Sequence, residues 1–413
     1  MKYLKSNTIL SKIVIFILFW ALIIPAVGNE NAYAADSEVT TAVKANKPKS
    51  FKAETQPGNI SKYGNVGIPV TCEEFLAAGY EFGDIVKVKF LGTSISVPFV
   101  SNFSDIDSGD SAMFALDGQE YLFIAVNMGD FATSNGIAVK TVNEDGSFTW
   151  NWAEGVTEPV KFKISLKKAG GYYNEYVLHK LSSTNEREDY AKLSDEEFAN
   201  FREVTTTGMG KGVLYRTSSP INPRDNRNAY ADAAIKKAGV TVMINLADDE
   251  NTAKGYEGYE ESYYSTIKSI ELDMTADYES EDFRAKLAEG LRFIAGNPGV
   301  YAVNCTEGKD RAGFVTALLE CLMGASYEEV ADDYMVSFYN YYGVTKDDKR
   351  YEPILSGNLA KTLKSVFTFT KKDKKRELSS MNLAKYAKKY FKSLGLTSKE
   401  IKKIKKNLSA AKG

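Results

Sequence analysis

The residues of this chain best suited to chemistry are Cys305 and Arg311, which have five residues between them. The preceding segment Val300-Tyr301-Ala302-Val303 predicts a short buried strand, and the apolar run after Gly313 predicts a helix. A tight loop in that position directs backbone N–H groups and the positive end of the helix dipole at one spot. A cysteine there is expected to be a thiolate, and the arginine fork can hold two phosphate oxygens. The pattern indicates phosphoryl transfer through a phosphocysteine; the alternative is a buried structural cysteine beside a surface arginine.

The residues between the cysteine and the arginine are expected to complete a cradle for a substrate phosphate with their backbone N–H groups. They are Thr306, Glu307, Gly308, Lys309 and Asp310. The glycine at 308, and another at 313, permit a turn and a close approach of the backbone. The lysine either adds positive charge that favours polyanionic substrates or turns toward solvent.

The amino-acid composition excludes several other classes of function and site. The chain has 413 residues, of which 44% are hydrophobic and 26% charged, which is typical of a globular protein of two domains plus a leader. A net charge of −2 gives no overall attraction to nucleic acid. His179 is the only histidine, so histidine triads and typical zinc sites are nearly excluded. Three cysteines do not make a disulfide framework, and the sequence predicts neither a cofactor nor a metal site.

The N-terminus has the pattern of a bacterial secretory signal. Lys2, Lys5 and Lys12 precede an apolar run at residues 13–27, and Ala32-Tyr33-Ala34 supplies a cleavage pattern. The apolar run is shorter than the ~20 residues that span a bilayer, which favours cleavage over an uncleaved anchor. We therefore predict a signal peptide at residues 1–34 and a secreted or cell-surface protein without a transmembrane segment in the mature chain.

The rest of the chain divides into three predicted parts. Residues 35–61 are polar and predict a linker. Residues 62–175 hold alternating strand patterns separated by Gly, Asp and Asn turns, which predict a small all-β barrel or sandwich. Residues 176–413 alternate strands and helices, which predicts an α/β domain with a central sheet flanked by helices. The cysteine then lies beyond the carboxyl end of a strand, where such sheets place their ligands.

The C-terminus of the α/β part is basic and helical. A Thr397-Ser398-Lys399-Glu400 capping box starts the last helix, with Ile401, Ile404 and Leu408 on one face and lysines around it. The sequence leaves two interpretations open: a docking helix with a solvated basic side, or a contact with anionic cell-envelope polymer or lipid headgroups.

Three segments together resemble a known family. Cys-Thr-Glu-Gly-Lys-Asp-Arg at 305–311 resembles the phosphate loop of bacterial cysteine-dependent tyrosine and dual-specificity protein phosphatases. Asn-Phe-Arg-Glu-Val at 200–204 and Leu-Tyr-Arg-Thr-Ser-Ser-Pro at 214–220 resemble the opening segment of the same family. The resemblance, from about residue 184 to the C-terminus, implies an enzyme that hydrolyses phosphotyrosine, with dual specificity left open. Together with the predicted signal peptide, it predicts an exported phosphatase. Two alternatives also stay open: an inositol phosphate or phosphoinositide phosphatase with the same mechanism, and an impaired module that only binds phosphate groups.

Two positions depart from the pattern of that family. Asn304 stands where the family usually has a histidine that orders the loop and lowers the cysteine pKa, and Ala312 stands where a hydroxyl usually helps release the thiolate. We therefore expect slow turnover.

The family also implies a general acid on a loop that follows an upstream strand, which makes Asp277 the first candidate and Asp273 the second. Asp310, at the pocket rim, is the third.

The β-rich part shows a weaker resemblance to the β-domain of S-adenosylmethionine hydroxide adenosyltransferases. It is carried by residues 83–86, 97–99 and 121–130. The partner domain that would complete such a nucleoside site has no counterpart in this sequence, so no nucleoside activity is expected.

Overall fold

The computed structural model describes residues 48–409. The predicted signal peptide at residues 1–34 and the first part of the predicted linker lie outside the described residues. Within the described range, no helix combines the length and the apolar character needed to cross a membrane.

The first part of the described chain is a curled, mostly antiparallel sheet. Seven strands pair in the order β1-β9-β3-β4-β5-β6-β2, and β7 and β8 form a separate ribbon. The strands are β1 (Phe51–Thr55), β2 (Val66–Ile68), β3 (Ile85–Phe90), β4 (Thr93–Val100), β5 (Ser111–Phe114), β6 (Leu122–Val126), β7 (Ala138–Val142), β8 (Phe148–Trp152) and β9 (Val160–Lys168), with short helices α1 (Cys72–Ala77) and α2 (Phe131–Ser134) between them. The Thr55 hydroxyl donates to the Gly67 carbonyl at 2.6 Å, so the two edge strands meet and the sheet is nearly closed.

The predicted linker extends too far into this sheet. Residues 51–55 are the edge strand β1, in which Phe51 lies opposite Ile164 of β9 and both Ala53 and Thr55 are buried. The interpretation as a linker was wrong here because Lys52 and Glu54, on the exposed face, make the composition polar. A strand with one buried face needs only every second residue to be apolar or small.

The second part of the chain is an α/β fold around a five-stranded sheet. Its strands follow the order β10-β11-β14-β12-β13. The four neighbouring strands β11, β14, β12 and β13 are parallel to one another. The strands are β10 (Arg202–Glu203), β11 (Leu214–Thr217), β12 (Val242–Asn245), β13 (Lys268–Glu271) and β14 (Tyr301–Asn304). The α-helices are α3 (Tyr173–His179), α4 (Asp195–Phe198), α5 (Asn228–Ala238), α6 (Glu250–Gly255), α7 (Glu281–Gly296), α8 (Arg311–Met323), α9 (Tyr327–Tyr342), α10 (Tyr351–Leu355), α11 (Lys361–Phe367), α12 (Leu383–Ser393) and α13 (Ser398–Ser409).

Both faces of this central sheet are buried, which confirms the α/β prediction. Val303 of β14 packs into the larger core with helices α7, α8 and α9, whereas its neighbour Ala302 packs into a smaller core with α5 and α6. The alternation follows from the period of two along a strand. Strands β11, β12 and β14 are covered on both sides, and their carboxyl ends provide the common edge where a site can form.

Helix α3 connects the two parts. Val177 belongs to the core of the α/β part, while the Tyr176 hydroxyl lies 3.2 Å from Ser101 Oγ in the curled sheet. Lys180, next to the helix, pairs with the buried Asp105 carboxylate at 2.7 Å. The predicted boundary between residues 175 and 176 therefore falls inside a helix that contacts both parts, and the independence of the β-rich part stays a prediction.

The last helix, α13, docks on the α/β part. Its apolar residues Ile401, Ile404 and Leu408 are buried, and Lys405 Nζ donates to the Leu322 carbonyl of α8 at 3.0 Å. The neighbouring lysines are exposed, so a contact with anionic polymer or lipid stays a prediction. Truncation would remove part of the core, so that contact is better tested by substituting the exposed lysines.

We expect Ile404→Ala to lower the free energy of unfolding by about 2–5 kcal/mol, because it removes a fully buried side chain from the core. Chemical denaturation measures this loss. The exposed neighbour provides a matched control: Lys403→Ala should change stability by about 0.5 kcal/mol or less. Equal effects of the two substitutions would show that α13 does not belong to the folded core.

Candidate active site

The predicted strand, loop and helix are all present around Cys305. Strand β14 ends at Asn304, Cys305 follows with 3% of its surface exposed, and α8 begins at Arg311. Within the described chain, the backbone N–H groups of residues 306–311 have no hydrogen-bond acceptor. A row of unpartnered N–H groups at a helix N-terminus is an anion-binding arrangement.

Side chains from other parts of the fold donate hydrogen bonds to the carbonyls of the same loop. The Glu307 carbonyl accepts hydrogen bonds from Asn200 Nδ2 and the Tyr341 hydroxyl, both at 3.0 Å. Arg216 donates from Nη2 to the carbonyls of Gly308 and Lys309, again at 3.0 Å. With their carbonyls fixed there, the peptide units present their N–H groups to the opposite side, which is where a phosphate would bind.

Arg216 is itself held in a buried charge network. The residue is fully buried, and its Nη1 pairs with Asp333 Oδ2 at 2.8 Å. Arg202 Nε pairs with the other oxygen of the same carboxylate at 2.8 Å. Burial opposes the charge of Asp333, but the two guanidinium groups outweigh burial and lower its pKa. The sequence contained both arginines in the segments that resemble the phosphatase family, but it gave no sign that they support the loop from below.

Two glycines permit the close packing of the loop. Gly308 has a left-handed φ of 66°, and a Cβ atom on it would lie 2.2 Å from the Thr217 carbonyl oxygen. A Cβ atom on Gly313 would lie 2.7 Å from both Arg216 Nη2 and the Tyr334 ring. Neither contact is sterically allowed, so both positions require glycine for the loop to rest on Arg216.

The Lys309 side chain is mostly buried. Its side chain is 11% exposed, and Nζ lies 2.8 Å from Glu307 Oε2 and 2.6 Å from the Tyr342 hydroxyl. Burial opposes its charge, but the carboxylates of Asp310 and Glu307 outweigh burial and raise its pKa. The charged ammonium group is therefore paired inside the protein and does not turn toward solvent, and its effect on polyanionic substrates stays a prediction. Aromatic residues of α9 enclose it, a contact that the sequence did not reveal.

Arg311 faces the loop and the segment after β13. Its Nη2 donates to the Thr306 hydroxyl at 3.1 Å, and its Nη1 donates to the carbonyls of Met274 at 2.8 Å and Leu246 at 3.2 Å. Its Nε has no acceptor in the part of the chain that the structure describes. The guanidinium is thus oriented by three neutral oxygens, while two of its five N–H groups, one on Nε and one on Nη2, stay available for ligand oxygens.

The three aspartates predicted as general acids lie in different places. Asp310 and Asp277 line one cleft beside the phosphate loop, whereas Asp273 is exposed and does not line it. Loss of hydration raises the pKa of Asp310, although about half of its side chain stays accessible at the rim. Lys309 opposes this shift, and Glu307 adds to it. A raised pKa keeps a carboxylic acid protonated to a higher pH, as a general acid requires.

The two departures from the family pattern lie in buried positions. Asn304 Nδ2 donates to Asn245 Oδ1 at 3.3 Å, and Asn245 Nδ2 donates in turn to Asp248 at 3.1 Å. This chain of amides starts at position 304, where the family usually has a histidine, and connects the start of the loop to the end of β12. Ala312 is fully buried in the first turn of α8.

Two of the solved structures that match this chain show low similarity to it. One is an uncharacterized conserved protein from Thermotoga maritima, with 22% identity over 28% of this chain and 36% of that chain and a TM-score of 0.22. The other is the core catalytic domain of the PP-IP phosphatase SIW14 from S. cerevisiae, with 18% identity over 38% of this chain and 84% of that chain and a TM-score of 0.25. This chain thus spans about a third of the Thermotoga protein. A search of curated proteins finds no match.

The comparison with protein families covers the whole site. Residues 193–410, more than half of the chain, match the model of the tyrosine phosphatase family. The matched range includes the loop with Cys305 and Arg311, the supporting Arg216 and Asp333, and the docked helix α13. This chain belongs to the tyrosine phosphatase family.

Proposed function

We propose that this protein hydrolyses phosphotyrosine esters through a phosphocysteine at Cys305. One observation carries the proposal. A buried cysteine opens a loop in which six successive residues, 306–311, leave their backbone N–H groups unpartnered, and the last of them is Arg311. A nucleophile inside an anion cradle is the arrangement that phosphoryl transfer requires.

The first chemical step moves the phosphoryl group to sulfur. Cys305 Sγ attacks phosphorus as a thiolate, and the bond between phosphorus and the ester oxygen breaks. The N–H groups of the loop and Arg311 bind the non-bridging oxygens, where negative charge is concentrated in the transition state. The departing oxygen takes a proton from Asp310, which becomes a carboxylate.

The second step regenerates the thiolate. A water molecule attacks the phosphocysteine, and the carboxylate of Asp310 accepts one of its protons. The sulfur–phosphorus bond then breaks, and inorganic phosphate leaves. The carboxylic acid and the thiolate are thereby restored for the next substrate.

The environment of Lys309 favours phosphotyrosine over inositol polyphosphates. Because the Lys309 ammonium group is paired with Glu307, it does not provide a free cation for a second phosphate. The other cation near that carboxylate, Arg224, is also paired with Asp225. Comparison of a phosphotyrosine peptide with phytate as substrates distinguishes the two classes, and faster hydrolysis of phytate would replace the present proposal.

We expect Cys305→Ser to reduce hydrolysis of p-nitrophenyl phosphate by at least about 10³-fold, because a hydroxyl is not ionised as a nucleophile at neutral pH. Cys72→Ser, at a half-exposed position in α1, is the matched control and should leave the rate unchanged. Hydrolysis that survives the substitution at 305 would contradict the mechanism. A wild-type protein that binds phosphate without hydrolysing the ester would instead support the impaired binding module.

We expect Asp310→Asn to lower kcat/KM for phosphotyrosine by about 10²-fold or more, with a smaller loss for p-nitrophenyl phosphate, whose leaving group needs little protonation. Since the protonated form is required, wild-type kcat/KM for phosphotyrosine should fall as pH rises through the raised pKa of Asp310. Rate profiles against pH for Asp310→Asn and Asp277→Asn check the assignment. If only the substitution at 277 removes the fall at high pH, then Asp277 is the acid.

A further inference from the structure

A cleft adjoins the phosphate loop. It is a cavity of about 500 Å³ between the segment 276–279, the loop residue Asp310, the ring of Tyr334 and the helical face that carries Gly357 and Lys361. Asp310 belongs to both the loop and the cleft, so a phosphate ester held by the loop would extend into this space. The cleft therefore faces the part of a substrate that lies next to its phosphate.

A buried tyrosine opens on this cleft without an internal partner. Tyr334 is 4% exposed, and in residues 48–409 its hydroxyl makes no hydrogen bond. Its hydroxyl is nonetheless not sealed off, because Tyr334 lines the cleft. Burial raises its pKa, with Asp310 and Cys305 among the groups that add to the shift. A neutral hydroxyl so placed, close to the nucleophile, is completed only by solvent or by a ligand.

The charge of the cleft is negative. Asp277 and Glu279 line it against one cation, Lys361, and Asp310 adds a negative charge only when it has lost its proton. Lys309 adds nothing, because its Nζ is paired with Glu307. A second phosphate in the cleft would lie beside this acidic wall, whereas a cationic group would gain from it.

We propose that the cleft selects phosphotyrosine peptides that carry a basic residue next to the phosphotyrosine, with Glu279 and Asp277 as the counter-charges. The inference rests on the proposed phosphatase function and adds the class of peptide that reaches the loop. An exposed pair contributes up to about a fivefold preference, and the factors of two carboxylates multiply to at most about 25-fold. We expect a preference of about tenfold between a basic and an acidic neighbour, within that limit. Because the charges lie at the surface, the preference falls as the salt concentration rises.

The test compares kcat/KM for two phosphotyrosine peptides that differ only in an arginine or a glutamate beside the phosphotyrosine. We expect wild type to prefer the arginine peptide by about tenfold at low salt. Glu279→Gln should reduce this ratio severalfold, and Glu279→Lys should reduce it further. Both variants should keep the wild-type rate with p-nitrophenyl phosphate, which carries no charged residue beside its ring for Glu279 to attract or repel. Glu289→Gln, an exposed position on α7 outside the cleft, is the matched control and should leave the ratio unchanged.

The outcomes separate this inference from the function on which it rests. If p-nitrophenyl phosphate is hydrolysed but the two peptides react equally, or if Glu279→Lys does not change their ratio, the inference is wrong and the phosphatase proposal stands. A wild-type preference for the glutamate peptide also overturns the inference. If no ester is hydrolysed, the proposed function fails, and the inference fails with it.

Discussion

The site depends on one buried guanidinium. Arg216 binds the carbonyls of Gly308 and Lys309 from beneath the loop, and this contact fixes which way the peptide units face. Asp333 and Arg202 hold Arg216 in a network where every charge has an opposite neighbour. Loss of one partner in such a buried pair costs about 3–5 kcal/mol, since it leaves the other charge uncompensated. The conformation of the loop and the stability of the α/β part are therefore coupled.

The charged side chains of the loop are also paired with opposite charges. Glu307 and Lys309 pair with each other and with groups behind the loop, so the binding surface itself presents backbone N–H groups and Arg311. An anion cradle made mostly of peptide dipoles suits a single phosphate group. The part of a substrate next to its phosphate is then recognised by the neighbouring cleft, whose wall is acidic rather than basic.

The sequence predicted the parts of this site that are local in the chain. Strand β14, the loop and helix α8 follow one another, so their apolar patterns and glycines were sufficient to predict them. The support beneath the loop joins residues far apart: Arg216 and Asp333 are 117 positions from each other. The burial of Lys309 could not be predicted for the same reason, because the aromatic residues that enclose it come from α9. Strand β1 was missed because it is stabilised by pairing with β9 and not by an apolar pattern of its own.

The two departures from the family pattern bear on rate and not on the existence of the site. Asn304 continues a hydrogen-bonded chain through Asn245, which maintains order at the start of the loop without a histidine. Ala312 has no hydroxyl of its own to help the sulfur depart from phosphorus. Formation of the phosphocysteine should therefore be faster than its hydrolysis.

A rapid-mixing measurement with p-nitrophenyl phosphate tests this account most directly. We predict a burst of p-nitrophenolate close to the enzyme concentration, followed by slow steady release, with a phosphoryl group recovered on Cys305 after acid quenching. Linear release from the first turnover, with no phosphate bound to Cys305 while hydrolysis continues, would contradict it.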